Sequence, residues 1–152
     1  MAGFVKAADI AAAAVEIERR GRDMYLAAQR GAGNTADAAF FAFMAEEEEG
    51  HEKFFSSMLQ RLGGLALSTE SSEAEYLEYL QLLLDSHALL LPGFEKRLAS
   101  DPLAEAMRME KDTILFFSAM KRLVPEAEQS AVESCIEEER RHLKMLSKHK
   151  PV

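Results

Sequence analysis

Two short motifs of the same composition stand far apart in this sequence of 152 residues. Glu48 and His51 are three positions apart, and so are Glu139 and His142. On an α-helix that spacing returns both side chains to one face, with about 4.5 Å of rise between them. A carboxylate and an imidazole placed in this way can bind one metal ion together. Two such pairs predict a metal site if the rest of the chain brings them into contact.

The two motifs belong to a longer internal repeat. Each half of the chain carries a glutamate, an aromatic residue seven positions later, and then a Glu-x-x-His motif that starts 30 or 29 positions after that glutamate. The first glutamates are Glu18 and Glu110, and the aromatic residues are Tyr25 and Phe117. Two antiparallel helix pairs related by a pseudo-twofold axis would bring the glutamates and histidines of both halves to the middle of a bundle.

Four glutamates and two histidines are the ligand set of a di-iron or di-manganese carboxylate centre in a four-helix bundle. The predicted metal ligands are Glu18, Glu48, His51, Glu110, Glu139 and His142. Four carboxylates balance two divalent ions, whereas buried carboxylates without a cation each cost several kcal/mol or take up a proton. Oxygen and imidazole ligands favour Fe or Mn over metals that prefer thiolate ligands. We expect two Fe ions, with Mn or Zn as substitutes. Such a site suits redox chemistry on peroxide or O₂.

The composition favours helices, because Ala, Leu, Glu and Met are frequent while Val, Ile and Thr are scarce. Apolar periodicity and capping residues predict four long helices: residues 5–30, Asn34 or Thr35 to about Arg61, Asp101 to about Leu123, and a last one opened by Pro125. Short links make the members of each pair antiparallel neighbours.

Residues 65–101 form a long connection between the second and third of these helices. A short helix is predicted from Ser71 or Ser72 through Leu84, and a second short piece, Phe94–Ala99, follows the break at Pro92–Gly93. A single long crossover is typical of ferritin-like bundles. We therefore expect an all-α, ferritin-like up-down four-helix bundle that forms one domain over residues 1–152.

Charge and cysteine content exclude several function classes. The net charge of −8 argues against nucleic acid and anionic membranes as partners. Cys135 is the only cysteine, which excludes an internal disulfide framework and fits a reducing, cytoplasmic location. The apolar stretch Ile10–Val15 follows Asp9 and precedes Glu16, so it reads as the start of a helix rather than a signal peptide. No run approaches the roughly 20 apolar residues of a membrane span.

Other residues that could do chemistry have simpler explanations as well. His87 and His149 lack a glutamate three positions earlier, which favours surface or packing roles. Tyr25 is either a core residue or a hydrogen-bond donor to a ligand carboxylate. Cys135 lies one turn before Glu139 and is either near the site or simply a small core residue.

Four stretches resemble the rubrerythrin-like branch of the ferritin-like superfamily: Glu18–Tyr25, Glu48–Phe55, Glu110–Phe117 and Glu138–Leu143. The resemblance implies a di-iron bundle, usually dimeric, often in microbes exposed to oxygen stress, with the six residues above as metal ligands. The crossover, with Tyr76, Tyr79 and Leu83–Leu91, is a candidate dimer surface or simply packs over the bundle.

The sequence departs from that family in two respects. Full-length rubrerythrins end in a rubredoxin domain with four cysteines, so this chain, with one, is expected to lack that domain and to use a separate electron donor such as a rubredoxin-like protein. They also carry an extra, redox-mobile glutamate on the third helix. The residues that share a face with Glu110 include no second carboxylate; they are Ala106, Met107, Thr113 and Ile114.

These observations favour a non-haem di-iron oxidoreductase that reduces peroxide or O₂ with electrons from the external donor. One alternative is an iron-binding or storage protein with ferroxidase activity. Another is a helical interaction protein in which the glutamate and histidine set is incidental.

Overall fold

The computed structural model describes residues 3–67 and 71–150. Within these ranges the chain forms six α-helices and no named strand: α1 (Ala7–Gly31), α2 (Thr35–Leu62), α3 (Ser71–Asp85), α4 (Phe94–Ser100), α5 (Pro102–Lys121) and α6 (Glu126–Lys148). The four long helices are α1, α2, α5 and α6. The predicted all-α four-helix bundle is confirmed, with helix ends within two residues of the expected positions.

Local sequence signals set most of the helix ends. The Asn34 side chain accepts a hydrogen bond from the Asp37 N–H at 2.8 Å, and Asp101 accepts one from the Ala104 N–H at 3.1 Å. Each such cap contributes about 1 kcal/mol to stability. Gly63 ends α2 with a φ of 53°, a left-handed value that favours glycine.

The long helices form two closely packed pairs, α1 with α2 and α5 with α6. Their apolar faces meet in one core in which Phe55 and Phe117 lie in contact, with ring centroids 4.8 Å apart. By contrast, α2 and α6 meet only along a narrow seam. The bundle is therefore tight within each pair and looser between α2 and α6.

The crossover contains α3, a 3₁₀ turn at Ala88–Leu90 and α4, and it packs mainly on α1 and α5. The Tyr76 hydroxyl donates to the Ala119 carbonyl at 2.8 Å. Arg97 Nε donates to the buried Glu105 carboxylate at 2.8 Å, a pair that sequence reasoning missed. These contacts pack the crossover against the bundle and leave the α2–α6 seam uncovered. A dimer surface on the crossover stays a prediction.

The start of the connection after α2 pairs with residues near the N-terminus. Lys6 and Ala66 form an isolated antiparallel bridge, with backbone hydrogen bonds from Ala7 N–H to Leu65 O at 3.0 Å and from Leu67 N–H to Val5 O at 3.2 Å. Residues 68–70 of this connection lie outside the described residues. None of the helices described in the structure is both long enough and apolar enough to span a membrane.

Candidate metal centre

The six predicted ligands meet in the middle of the bundle. Each lies well inside its helix, within an otherwise apolar stripe, and each residue is at most 5% exposed. Glu18 comes from α1 and Glu110 from α5, while α2 and α6 each contribute a Glu-x-x-His pair. The helical periodicity of 3.6 residues is what places these polar groups on the same faces as the core residues.

The ligand atoms form two overlapping groups. The first contains Glu18, Glu48, His51 and Glu139, and the second contains Glu48, Glu110, Glu139 and His142; within each group the atoms lie within 4.8 Å of one another. Glu48 and Glu139 belong to both groups. This arrangement suits two neighbouring ions, each with its own glutamate and histidine and with two carboxylates between them.

Both imidazoles direct Nδ1 toward the carboxylates. His51 Nδ1 lies 2.8 Å from Glu139 Oε1 and 3.6 Å from Glu18 Oε1. His142 Nδ1 lies 3.1 Å from Glu139 Oε2 and 3.5 Å from Glu48 Oε1. The rings are stacked, with centroids 5.8 Å apart. The Nδ1 atoms are therefore the nitrogen donors that would face a metal.

Several buried atoms of this cluster have no hydrogen-bond partner. Among the described residues the buried side-chain atoms without a partner are Glu18 Oε1 and Oε2, Glu48 Oε1, Glu110 Oε2, His142 Nε2 and Gln81 Oε1. Leaving a buried acceptor unpaired costs about 1–3 kcal/mol, and more when it is charged. A divalent cation satisfies several such oxygens at once, so the donor set fits a pair of metal ions.

The glutamates that are not shared have strongly shifted acidities. Burial raises the pKa of Glu18 well above its usual value, and the nearby Glu139 and Glu48 carboxylates raise it further. Burial together with the same two neighbours also raises the pKa of Glu110 well above its usual value. Both shifts favour the protonated form of these carboxyl groups in the metal-free protein.

The remaining groups shift in the complementary direction. Burial acts to raise the pKa of Glu139, but hydrogen bonds with Glu110, His142 and His51 outweigh it and hold the pKa well below its usual value. Burial acts to lower the pKa of His51, yet its contact with Glu139 raises it to about 9. The pKa of His142 is raised as well, against burial, by Glu110 and Glu139. These shifts favour added protons in the metal-free cluster, where bound cations would otherwise offset the charge of the carboxylates.

Tyr25 makes the hydrogen bond that the sequence left open. Its hydroxyl donates to Glu110 Oε1 at 2.7 Å, and both side chains are buried. Burial and the Glu110 carboxylate raise the pKa of Tyr25 well above its usual value, so the donor keeps its proton. Phe117, its counterpart in the repeat, has no hydroxyl to offer.

Two glutamates beside the cluster were missed by sequence reasoning. Glu138 Oε2 contacts His51 Nε2 directly, and Glu47 Oε2 lies 3.5 Å from His142 Nε2. The signal was present in the sequence, because each motif reads Glu-Glu-x-x-His rather than Glu-x-x-His. On a single helix, Glu47 is rotated about 100° from Glu48 and so lies at the margin of the inward face.

The α2–α6 seam contains a groove of about 430 Å³ that reaches His51 from outside. Glu47, Glu138 and Cys135 also line it. Burial raises the pKa of the Cys135 thiol to about 12, which keeps it protonated. Cys135 is thus both a small core residue and a neighbour of the cluster. A larger, mostly apolar cavity of about 510 Å³ between α1 and the crossover contains none of the predicted ligands.

The other two histidines have packing roles, as expected. His87 is fully buried; its Nδ1 accepts from the Leu89 N–H at 3.2 Å, so Nε2–H donates to Thr113 Oγ1 at 2.9 Å. Burial lowers the pKa of His87 to about 4. His149 lies 2.8 Å from Asp37 Oδ1 and packs against the ring of Phe40.

Comparison with known proteins decides the family. The family model described as Rubrerythrin matches residues 9–150, which span all four long helices. The chain belongs to the rubrerythrin family. No curated protein sequence matches it at a significant level. The buried cluster of glutamates and histidines fits a binuclear metal site.

A solved structure supports the fold of this rubrerythrin-family chain. It is a protein from Thermotoga maritima described as a ferritin-like diiron-carboxylate protein, with 22% sequence identity and a TM-score of 0.64. The similarity covers 97% of this chain and 96% of that chain. At this identity the comparison shows that the two chains share the ferritin-like fold.

Proposed function

We propose that this protein is a non-haem di-iron oxidoreductase that reduces peroxide or O₂ with electrons from an external donor. One observation carries the proposal: two groups of buried ligand atoms share Glu48 and Glu139, and several of their atoms have no other partner. Glu18 and His51 would hold one ion, and Glu110 and His142 the other. Two Fe ions bound there would cycle between the ferrous and ferric states and supply the electrons for the reaction.

The surrounding residues control what reaches the site. Phe55 and Phe117 pack closely inside the bundle and exclude bulk water. Tyr25 holds the Glu110 carboxylate in one orientation through its 2.7 Å hydrogen bond. The α2–α6 groove offers a route for a small oxidant, because it reaches His51 and is not covered by the crossover.

Repeated turnover needs electrons from a reductant outside the cluster. Reduction of one hydrogen peroxide to two waters takes two electrons and two protons. Cys135 is the only thiol of the chain and is buried with a raised pKa, so it is a poor reductant. We therefore propose a separate donor, such as a rubredoxin-like protein.

Iron uptake with ferroxidation is a second candidate function. The groove that leads to His51 is lined by the carboxylates of Glu46, Glu47 and Glu138. A carboxylate-lined opening attracts cations, which favours the passage of iron through the site.

Anaerobic ferrous titration of the metal-free protein tests both functions. We expect two irons per chain in the wild type and fewer in Glu139→Ala. Rapid stoichiometric oxidation by peroxide, followed by turnover that depends on an added donor, would support the oxidoreductase. Accumulation of many irons per chain would favour storage. Absence of Fe, Mn or Zn near two per chain, with unchanged melting after chelation, would contradict a dimetal protein.

A further inference from the structure

Each histidine of the cluster has one nitrogen that faces inward and one that faces outward. The outward nitrogen of His51, on α2, contacts Glu138 on α6. The outward nitrogen of His142, on α6, lies 3.5 Å from Glu47 on α2. The two contacts are reciprocal, since each helix supplies a carboxylate to the histidine of the other.

These carboxylates occupy equivalent places in the repeat and in the structure. Glu47 directly precedes Glu48, and Glu138 directly precedes Glu139. Both side chains are 38% exposed, and both line the α2–α6 groove. They are therefore close enough to the cluster to touch the rings while remaining hydrated on one side.

A histidine that binds a metal through Nδ1 must carry its single proton on Nε2. A carboxylate that accepts a hydrogen bond from this Nε2–H selects the tautomer, orients the ring and makes Nδ1 a stronger donor. We propose that Glu138 and Glu47 are positioning residues that hold His51 and His142, respectively, with Nδ1 toward the metal pair. The proposal rests on the dimetal site of the proposed function.

The two positioning contacts differ in distance. Glu138 already touches His51, and its other carboxylate oxygen lies 3.8 Å from Arg141 on the surface. Glu47 is beyond hydrogen-bond distance, and His142 Nε2 has no hydrogen-bond partner among the described residues. We therefore expect removal of Glu138 to have the larger effect.

The chain offers matched controls for both residues. Glu49 is exposed and lies 3.8 Å from Lys53. Glu137 is exposed and pairs with Arg140 at 2.5 Å. Each control residue is on the same helix as its test residue and within two positions of the same ligand glutamate. Its substitution therefore removes the same charge without changing a contact to a histidine.

Cobalt(II) is a suitable probe, because it is paramagnetic and shifts the proton signals of ligated histidines away from the rest of the NMR spectrum. We would measure Co²⁺ affinity, stoichiometry and the solvent-exchangeable Nε2–H signals in the full-length protein at fixed pH. The variants are Glu138→Ala, Glu138→Gln and Glu47→Ala, with Glu49→Gln and Glu137→Gln as controls.

We expect Glu138→Ala to weaken Co²⁺ binding by about 10- to 100-fold at unchanged stoichiometry. Its His51 Nε2–H signal should be lost to exchange with solvent while that of His142 persists. Glu47→Ala should show the reverse selectivity with a smaller loss of affinity. Glu138→Gln should retain part of the effect, because the amide oxygen still accepts a hydrogen bond, and it keeps the shape of the side chain if the alanine variant fails to fold.

Other results would overturn specific claims. If the wild type takes up no Co²⁺, the dimetal site itself is wrong and the positioning role falls with it. If the wild type binds two ions while all three variants keep full affinity and both exchangeable signals, the site stands and the positioning role is wrong. Loss of one ion per chain in Glu138→Ala would make Glu138 a direct ligand and also contradict the proposal.

Discussion

The two halves of the cluster are built on one repeat, yet two of the positions at which they differ change the surroundings of the ligands. These two positions lie on α1 and α5, after the glutamates that are not shared. Three residues after the glutamate, the first half has Gly21 and the second has Thr113. Seven residues after it, the first half has Tyr25 and the second has Phe117. A symmetric ligand set is therefore held by asymmetric surroundings.

The difference at the aromatic position acts across the bundle. Tyr25 of the first half donates to Glu110 of the second, whereas both oxygens of Glu18 lack a hydrogen-bond partner. Glu110 is thus oriented before any metal arrives. Glu18 would be ordered mainly by the metal. One hydroxyl group therefore makes the surroundings of Glu110 differ from those of Glu18.

The difference three residues after the glutamate reflects what packs against each helix. A Cβ at Gly21 would lie 3.3 Å from Glu48 Oε2, so glycine leaves room for a shared ligand. Thr113 instead receives the hydrogen bond of His87 from the crossover at 2.9 Å. Gly21 thus leaves space for a ligand of the cluster, whereas Thr113 binds the crossover to α5 through a hydrogen bond.

The largest effect on metal binding should come from removing a ligand that belongs to both groups. Glu139→Ala removes a carboxylate from both groups and should abolish the binding of nearly all metal. Glu18→Ala and Glu110→Ala each disrupt one group and should leave about one ion per chain, and His51→Ala should likewise lower occupancy. Metal analysis of the purified variants checks this. Full occupancy in both Glu139→Ala and His51→Ala would show that the ligands are wrongly assigned.

His87 should make the stability of the folded protein sensitive to acid. The folded-state pKa of His87 is about 4, below the unfolded value of about 6.5, so the unfolded state binds the proton first as pH falls. The contribution of buried, neutral His87 to the free energy of unfolding is complete above about pH 6.5. It is lost as the pH drops toward 4, and the total loss is roughly 3 kcal/mol. Denaturant unfolding of the metal-free protein at pH 7 and pH 4.5 should show a shallower pH dependence in His87→Gln.

Thr113→Val is the control for this measurement. It removes the acceptor of the His87 hydrogen bond but leaves the imidazole buried, so it should lower stability at both pH values and retain the pH dependence. Equal pH dependence in the wild type and His87→Gln would mean that His87 does not contribute to acid sensitivity.

Tyr25→Phe tests the asymmetry directly by making the aromatic positions of the halves alike. It leaves Glu110 Oε1 without its donor and should lower the free energy of unfolding of the metal-free protein by about 1–3 kcal/mol. The two metal-binding steps should also become more nearly equal in a calorimetric titration. Tyr76→Phe, which removes a hydrogen bond remote from the cluster, should leave those steps unchanged. Unequal steps that persist in Tyr25→Phe would argue that another feature separates the two positions.

Gly21→Ala should have the smallest effect on stability and a selective effect on metal. Alanine is favoured in a helix by up to about 1 kcal/mol, while the new Cβ forces Glu48 to move, so the change in unfolding free energy should be below that value. Metal affinity should fall, since Glu48 belongs to both ligand groups. Gly50→Ala meets no atom within 4 Å and should raise helix stability with unchanged affinity. If the Gly21→Ala protein binds metal as tightly as the wild type, Glu48 can accommodate the added Cβ without losing its ligand geometry.

The sequence by itself determined the helices, the crossover and the six residues that meet in the core. Those features depend on local signals: caps such as Asn34 and Asp101, the 3.6-residue period, and a repeat that places Glu18 and Glu110 in register with the two Glu-x-x-His motifs. Each can be read from one stretch of chain at a time, which is why the structure agrees with them closely.

Only the tertiary structure decided how the cluster is supported. The contacts of Glu138 with His51 and of Tyr25 with Glu110 join different helices, so they depend on how the helices rotate and cross. Periodicity on one helix left Glu47 at a margin and could not say which histidine it would approach. The open α2–α6 seam likewise follows from where the crossover packs, because no local pattern specifies which face of a bundle remains uncovered.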